Sequence, residues 1–86
     1  MMSQVVIYTK DYCPFCHRAK ALLDAKSVIY TEYDIGAQPE LRDEMIAKAN
    51  GGHTVPQIFI AERHIGGCDD MMALEARGEL DNLLQA

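Results

Sequence analysis

Apolar residues recur along this chain with two different periods, and the change from one period to the other outlines the fold. Residues 5–8 form a short, continuously apolar run, which predicts a strand covered on both faces. From Pro14 to about residue 26 the apolar positions recur at helical spacing, and proline suits the first helical position. Residues 28–33, rich in β-branched and aromatic side chains, predict a second strand.

The second half of the chain predicts two more helices and two more strands. A helix should begin at residues 38–39 and run to about residue 49, where Asn50-Gly51-Gly52 ends it. Residues 57–61 predict a strand, and residues 63–65 a short arm that pairs back as a hairpin. Asp69 or Asp70 should cap a final helix, which Gly78 interrupts.

These elements give the order β-α-β-α-β-β-α. The first two strands are joined through a helix and should be parallel with a right-handed crossover, whereas the last two should be antiparallel. The sequence therefore predicts an α/β fold, with a mixed four-stranded sheet flanked by helices on both faces. With 86 residues we expect a single domain spanning residues 1–86.

Composition and charge exclude several classes of partner. The net charge is −5 and there is no basic tract, so a direct nucleic-acid partner is not expected. No apolar run approaches the roughly 20 residues that span a bilayer, so we expect no membrane partner. The odd count of three cysteines is unlike the disulfide framework of a small secreted protein, and the start resembles no signal peptide. We therefore expect a cytoplasmic protein with chemically active thiols.

The chemistry of the chain should reside in Cys13-Pro14-Phe15-Cys16, where a strand turns into a helix. With Cys13 at the N-cap and Cys16 one turn later, both sulfurs lie on the same side of the helix end. Cys16 falls on the apolar stripe and should be buried, while Cys13 lies at the exposed tip. The amides of Phe15 and Cys16, the helix dipole and the nearby Lys10 should favour a thiolate at Cys13 and not at Cys16.

Three other interpretations of the cysteines compete with a redox pair. They could be inert buried thiols, although two cysteines flanking a proline at a helix start are an unusual arrangement for that role. Cys13 to His17 also matches the C-x-x-C-H pattern of covalent haem attachment, which normally requires export. A zinc site could combine both cysteines with Cys68 and one of His17, His53 or His64, but no second paired motif supports it. We favour the redox pair and expect no metal.

At this level of detail the chain resembles a glutaredoxin, most closely the small bacterial dithiol class. The likeness spans about residues 5–84. It is carried by Tyr8-Thr9-Lys10, Cys13-Pro14-Phe15-Cys16, Thr54-Val55-Pro56-Gln57-Ile58-Phe59-Ile60 and Ile65-Gly66-Gly67-Cys68-Asp69-Asp70. Phe15 stands where tyrosine is more usual in the family, a departure that should not remove activity. The resemblance implies the thioredoxin fold.

The resemblance also implies a function. Electrons would pass from glutathione to protein disulfides and glutathionylated proteins, with glutathione reductase and NADPH recharging the system and ribonucleotide reductase a typical client. Cys13 would be the nucleophile and Cys16 the resolving thiol. Glutathione would be a co-substrate, no cofactor would be tightly bound, and a monomer is expected. The alternative is a glutaredoxin-like protein that shares a [2Fe–2S] cluster between two subunits with glutathione, which Pro14 disfavours in the family.

Glutathione has two carboxylates, an ammonium group and a peptide backbone, and the sequence offers partners for each. Val55 precedes a proline and is biased to an extended conformation, so its backbone can pair with the cysteinyl part. Pro56 is cis in the family, and Thr54 and Pro56 are expected to contact glutathione together with Val55. The backbone amides at Asp69 and Asp70 would bind the γ-glutamyl carboxylate, and the Asp70 side chain the ammonium.

Two cations and one further thiol complete the expected site. Lys10 and Arg42 are the candidates for the glycine carboxylate of glutathione. Cys68 lies at a predicted helix start, which would lower its pKa. It is therefore either a small packed residue beside the site or a regulatory thiol.

Overall fold

The computed structural model describes residues 3–85, and the predicted order of elements is confirmed. In chain order they are β1 (Val5–Thr9), α1 (Pro14–Ala25), β2 (Tyr30–Asp34), α2 (Glu40–Lys48), β3 (Gln57–Ile60), β4 (Arg63–Gly66), α3 (Cys68–Ala76) and α4 (Leu80–Gln85). Within the described residues, every helix is too short or too polar to cross a bilayer.

The four strands form one mixed sheet in the order β2-β1-β3-β4. Strand β1 pairs in parallel with β2 and antiparallel with β3, and β3 pairs antiparallel with β4. Because β1 is central, Val5 lies opposite Tyr30 on one side and Ile60 on the other. Thr9 and the loop that follows it are thereby brought beside the start of β3.

The sheet separates two apolar clusters, which explains why β1 is apolar at successive positions. Ile7 points into the larger cluster, with α1, α3 and α4, while Tyr8 points into the smaller one, with α2. The larger cluster contains Val5, Ile7, Ala19, Leu23, Val28, Ile58, Ile60, Cys68, Met71, Leu80 and Leu84. The smaller contains Tyr8, Ile35, Met45, Ala49 and Phe59. Both faces of β1 are covered, as its pattern predicts.

The second strand begins later than the sequence predicts, at Tyr30 instead of residue 28. Ser27 has a positive φ of 58°, and the amide of Val28 donates to the carbonyl of Leu23 at 3.0 Å. The backbone of Val28 therefore closes the end of α1, although its side chain is buried in the larger cluster. The β-branched residues predicted a strand from residue 28, but the backbone at Val28 is hydrogen-bonded to the end of α1, so the strand begins only after it.

The prediction that Asp69 or Asp70 caps the last helix is wrong, because α3 begins at Cys68 with Gly67 as its N-cap. Asp70 instead lies within the first turn, and its Oδ2 accepts a hydrogen bond from the Gly67 amide at 2.9 Å. This is the half of a capping box in which a side chain reaches back to the cap. The interruption predicted at Gly78, whose φ is +73°, separates α3 from α4.

Candidate active site at the start of the first helix

The Cys13 sulfur lies at the point where the chain leaves β1 and enters α1. Tyr12 turns the chain with a positive φ of 59°, and Cys13 is the extended N-cap residue that follows it. The Cys13 Sγ accepts a hydrogen bond from the Cys16 amide at 3.2 Å and lies 3.8 Å from the carbonyl oxygen of Val55. Of the two amides expected at this sulfur, the described hydrogen bonds include that of Cys16 and not that of Phe15.

The two cysteines differ in exposure in the predicted direction. Cys13 is half-buried, whereas Cys16 is 1% exposed and lies on the face of α1 that packs against the sheet. Burial, and then the hydrogen bond and negative charge of the Cys13 sulfur, raise the pKa of Cys16 to about 12. Cys16 therefore stays protonated at neutral pH, and Cys13 is the thiol of the pair that solvent can reach.

A groove of about 500 Å³ runs along the loop before β3 and the start of α3, and the carbonyl oxygen of one of its lining residues, Val55, lies 3.8 Å from the Cys13 sulfur. Its lining residues are Phe15, Thr54, Val55, Pro56, Gln57, His64, Gly66, Gly67, Cys68, Asp69 and Asp70. The groove thus brings together Thr54, Val55, Pro56, Asp69 and Asp70, all of them predicted from the sequence. Lys10 and Arg42 are exposed and do not line it.

The loop that carries Val55 lies directly before β3. The Val55–Pro56 peptide bond is cis, as the resemblance implied. The register between β1 and β3 begins at Gln57, so Val55 lies outside the ladder and its backbone is free of strand pairing. A backbone in this position presents an edge along which an extended peptide can pair.

Gln57 fixes this loop, and sequence reasoning gave it no role in the site. The residue is 5% exposed; its Nε2 donates to the Thr54 carbonyl at 3.0 Å, and its Oε1 lies 2.7 Å from Nε2 of His64. Because Gln57 Oε1 can only accept, the hydrogen in that contact belongs to His64 Nε2. A polar residue opening a strand that is otherwise apolar was the available signal, since a buried amide must find partners.

The other wall of the groove is the first turn of α3. The amides of Cys68, Asp69 and Asp70 belong to the first turn of a helix, where amides have no carbonyl partner within the helix. They carry the positive end of the helix dipole, which suits a carboxylate. Gly66 adopts a φ of +117°, and a Cβ at this position would lie 2.3 Å from Asp70 Oδ2. The wall therefore depends on a glycine at position 66.

Cys68 is 3% exposed and packs in the larger cluster. The expectation that its position at a helix start lowers its pKa is wrong in direction. Burial raises the pKa of Cys68, with the charge of Arg18 acting in the opposite sense. Desolvation of a thiolate exceeds the effect of the helix start here, which favours a packed residue over a thiol that ionises readily.

Neither rival chemistry gains support from the geometry. In residues 3–85 the histidines, cysteines and acidic residues do not form any group of three or more that could hold a metal ion. Burial of Cys16 also leaves little room for a covalent haem at its sulfur. A second cleft, of about 360 Å³, opens on the α2 face of the sheet and is lined by residues such as Tyr33 and Lys48, but not by Val55, which contacts the Cys13 sulfur.

Comparison with known proteins agrees with this arrangement. The family model for glutaredoxin matches residues 5–65. Glutaredoxin 3 of Escherichia coli strain K12 is 58% identical over 84 residues, which cover 98% of this chain and 100% of that protein.

Two solved structures extend the comparison to three dimensions. The solution structure of glutaredoxin from Brucella melitensis has a TM-score of 0.84 at 54% identity, covering 98% of this chain and 90% of that one. The crystal structure of a buckwheat glutaredoxin–glutathione complex has a TM-score of 0.85 at 30% identity, covering 95% of this chain and 76% of that one. These likenesses confirm the predicted thioredoxin fold.

Proposed function

The chain belongs to the glutaredoxin family and is a thiol–disulfide oxidoreductase, and from this premise we propose that it draws its electrons from glutathione. The proposal makes protein disulfides and glutathionylated proteins its substrates, and glutathione its co-substrate with no tightly bound cofactor. The observation that carries it is the groove beside Cys13, whose two walls are a free backbone edge and a helix start. Electron donation by glutathione requires a compartment in which glutathione is kept reduced, and we propose that this compartment is the cytoplasm.

Glutathione fits this groove as an extended peptide. We propose that its cysteinyl part pairs with the backbone of Val55, which places its sulfur near Cys13 because the Cys13 Sγ is 3.8 Å from the Val55 carbonyl. Thr54 and Pro56 flank this edge. The γ-glutamyl carboxylate would then meet the amides at Asp69 and Asp70.

Charged side chains would complete the recognition. Asp70 already accepts from the Gly67 amide through Oδ2, and a carboxylate has further lone pairs for the glutathione ammonium. Lys10 and Arg42 are proposed for the glycine carboxylate, which would lie outside the groove proper, because neither residue lines it. Cys68 borders the groove and is proposed as a regulatory thiol only in states that expose it.

A glutathionylated client needs Cys13 alone. The Cys13 thiolate attacks the glutathione sulfur, the Cys13–glutathione disulfide forms, and the client thiolate leaves and takes up a proton. A second glutathione thiolate then attacks the glutathione sulfur of that disulfide, which releases Cys13 and oxidised glutathione. The net reaction therefore consumes one free glutathione, whose sulfur is oxidised as the client sulfur is reduced, and the second sulfur of oxidised glutathione comes from the client mixed disulfide.

A protein disulfide needs both thiols. Cys13 attacks one client sulfur and forms a mixed disulfide, and the other client sulfur leaves as a thiolate. Cys16 loses its proton and attacks the Cys13 sulfur, so that the Cys13–Cys16 disulfide forms and the client leaves fully reduced. Two glutathiones restore the dithiol. Ribonucleotide reductase is proposed as one such client, and a monomer suffices for every step.

A coupled assay with glutathione, glutathione reductase and NADPH tests the proposal, with a glutathione mixed disulfide and a protein disulfide as parallel substrates. Cys16→Ser should retain reduction of the mixed disulfide and lose most reduction of the protein disulfide, whereas Cys13→Ser should lose both. Wild-type protein inactive on both substrates would refute the function. A purified protein with visible absorbance from bound iron and sulfide would instead favour the cluster-binding alternative.

A further inference from the structure

A partly buried hydrogen-bond network connects β1, β2 and the turn of α1 that follows Cys16, and it has no part in the steps above. Oε2 of Glu32, on β2, accepts from the Thr9 hydroxyl at 2.7 Å and from the Lys20 ammonium at 2.9 Å. Thr9, on β1, is 2% exposed, whereas the side chains of Lys20, on α1, and of Glu32 are 22% and 36% exposed. Although burial acts against it, these hydrogen bonds lower the pKa of Glu32, so the carboxylate stays charged and holds Lys20 in place.

Lys20 lies one helical turn after Cys16, so the two side chains occupy the same face of α1. Three groups act on the charge of the Cys16 sulfur. The Cys13 sulfur opposes its ionisation, whereas the backbone amide of Lys10 and the ammonium of Lys20 favour it. The Lys20 charge is itself faced from β2 by Glu32 and by the Tyr30 hydroxyl.

We propose that Lys20, held by Glu32, which in turn accepts from Thr9, is a positioning residue for the resolving step, because its ammonium stabilises the thiolate that Cys16 must form. The proposal rests on the function proposed above. When Cys13 is part of a mixed disulfide its sulfur carries no charge, so it no longer opposes the ionisation of Cys16. Lys20 is then the side-chain cation that acts on Cys16 as the proton leaves.

The chemical balance of this step is simple. Cys16 releases its proton to water, and the resulting thiolate attacks the Cys13 sulfur. The Cys13–Cys16 bond forms, the bond from Cys13 to the outgoing sulfur breaks, and the outgoing thiolate carries the electron pair away. Lys20 neither gives nor takes a proton in this sequence.

Rapid mixing of the reduced protein with a coloured aromatic disulfide separates the two chemical steps. The first release of aromatic thiolate reports attack by Cys13, and the second reports resolution by Cys16. Lys20→Gln should move the pH profile of the second phase upward by about half to one unit and slow it about two- to fivefold at pH 7, because a less acidic thiol is partly compensated by greater nucleophilicity. The first phase should be unchanged.

Two control variants distinguish electrostatics from damage to the fold. Lys20→Arg keeps the charge and should restore the wild-type pH profile. Lys48→Gln makes the same charge change on α2, where Lys48 pairs with Glu44, and should leave both phases unchanged.

Three outcomes would count against the proposal or its premise. An unshifted second-phase pH profile in Lys20→Gln would overturn the inference. An equal slowing at every pH in Lys20→Gln and Lys20→Arg would also overturn it, since that pattern marks a structural lesion. Absence of the second phase in the wild type would instead overturn the proposed function. Cys16→Ser is the reference for this outcome, because it cannot carry out the second step.

Discussion

Replacing Gly66 by alanine should destabilise the protein through two separable terms. The φ of +117° is a conformation that L residues rarely adopt, which costs about 1–3 kcal/mol. The new Cβ would also lie 2.3 Å from Asp70 Oδ2 and 2.8 Å from its Cγ. Asp70 must therefore release the Gly67 amide, and the loss of that cap is worth about 1 kcal/mol. The expected total is about 2–4 kcal/mol.

Gly78→Ala is the matched control, because Gly78 also has a positive φ, +73°, but a Cβ there meets nothing within 4 Å. This variant should lower the free energy of unfolding only by the cost of the unfavourable φ, about 1–2 kcal/mol. Urea unfolding followed by circular dichroism measures both losses, and a difference of 1 kcal/mol corresponds to about 4–8 °C in melting temperature for a domain of this size. Equal losses in the two variants would refute the steric argument.

A double-mutant cycle adds an independent test of the same contact. Asp70→Ala alone should cost about 1 kcal/mol, because it removes the bond to the Gly67 amide. In the Gly66→Ala background the same change should cost clearly less, since the contact has already been broken. Strict additivity would contradict the account.

Two further predictions concern the sheet and the core. Burial, then the hydrogen bond to Glu44, raise the pKa of Tyr8 to about 12, so the folded state keeps a proton that the unfolded chain loses from about pH 10. The free energy of unfolding should therefore fall as pH rises from about 10 to 12, and urea titrations should show a smaller fall in Tyr8→Phe. An identical fall in the variant would exclude the Tyr8 proton as a contributor. Met71→Ala, at a fully buried position in the larger cluster, should cost about 2–5 kcal/mol in the same assay, and the half-buried Met72→Ala should cost less; the reverse order would contradict the packing described here.

Local features of the sequence are enough to predict the order of elements and the reactive pair. A strand buried on both faces, such as β1, has a continuous apolar run in its sequence. Pro14 marks the start of α1, and this signal does not depend on which elements pack against the helix. The different environments of Cys13 and Cys16 follow from the same helical period, because only Cys16 falls on the buried stripe.

Positions where two local signals compete were predicted less well. Val28 has the β-branched side chain of a strand residue, but its amide is used to close α1. Asp70 is a good cap by type, yet Gly67 occupies the cap, and Asp70 accepts from the Gly67 amide from within the first turn. In each case the backbone of a neighbouring residue decided the outcome, which residue types alone do not record.

The sequence by itself determined that this chain alternates strands and helices and carries a thiol pair at a helix start. Only the tertiary structure decided which distant side chains meet around that pair. Gln57 with His64, and Glu32 with Thr9 and Lys20, are brought together by strand register and by the packing of α1 on the sheet. Those contacts join residues on different elements, so no helical or strand period encodes them, and the burial of Thr9 and Gln57 makes a hydrogen-bond partner necessary for each.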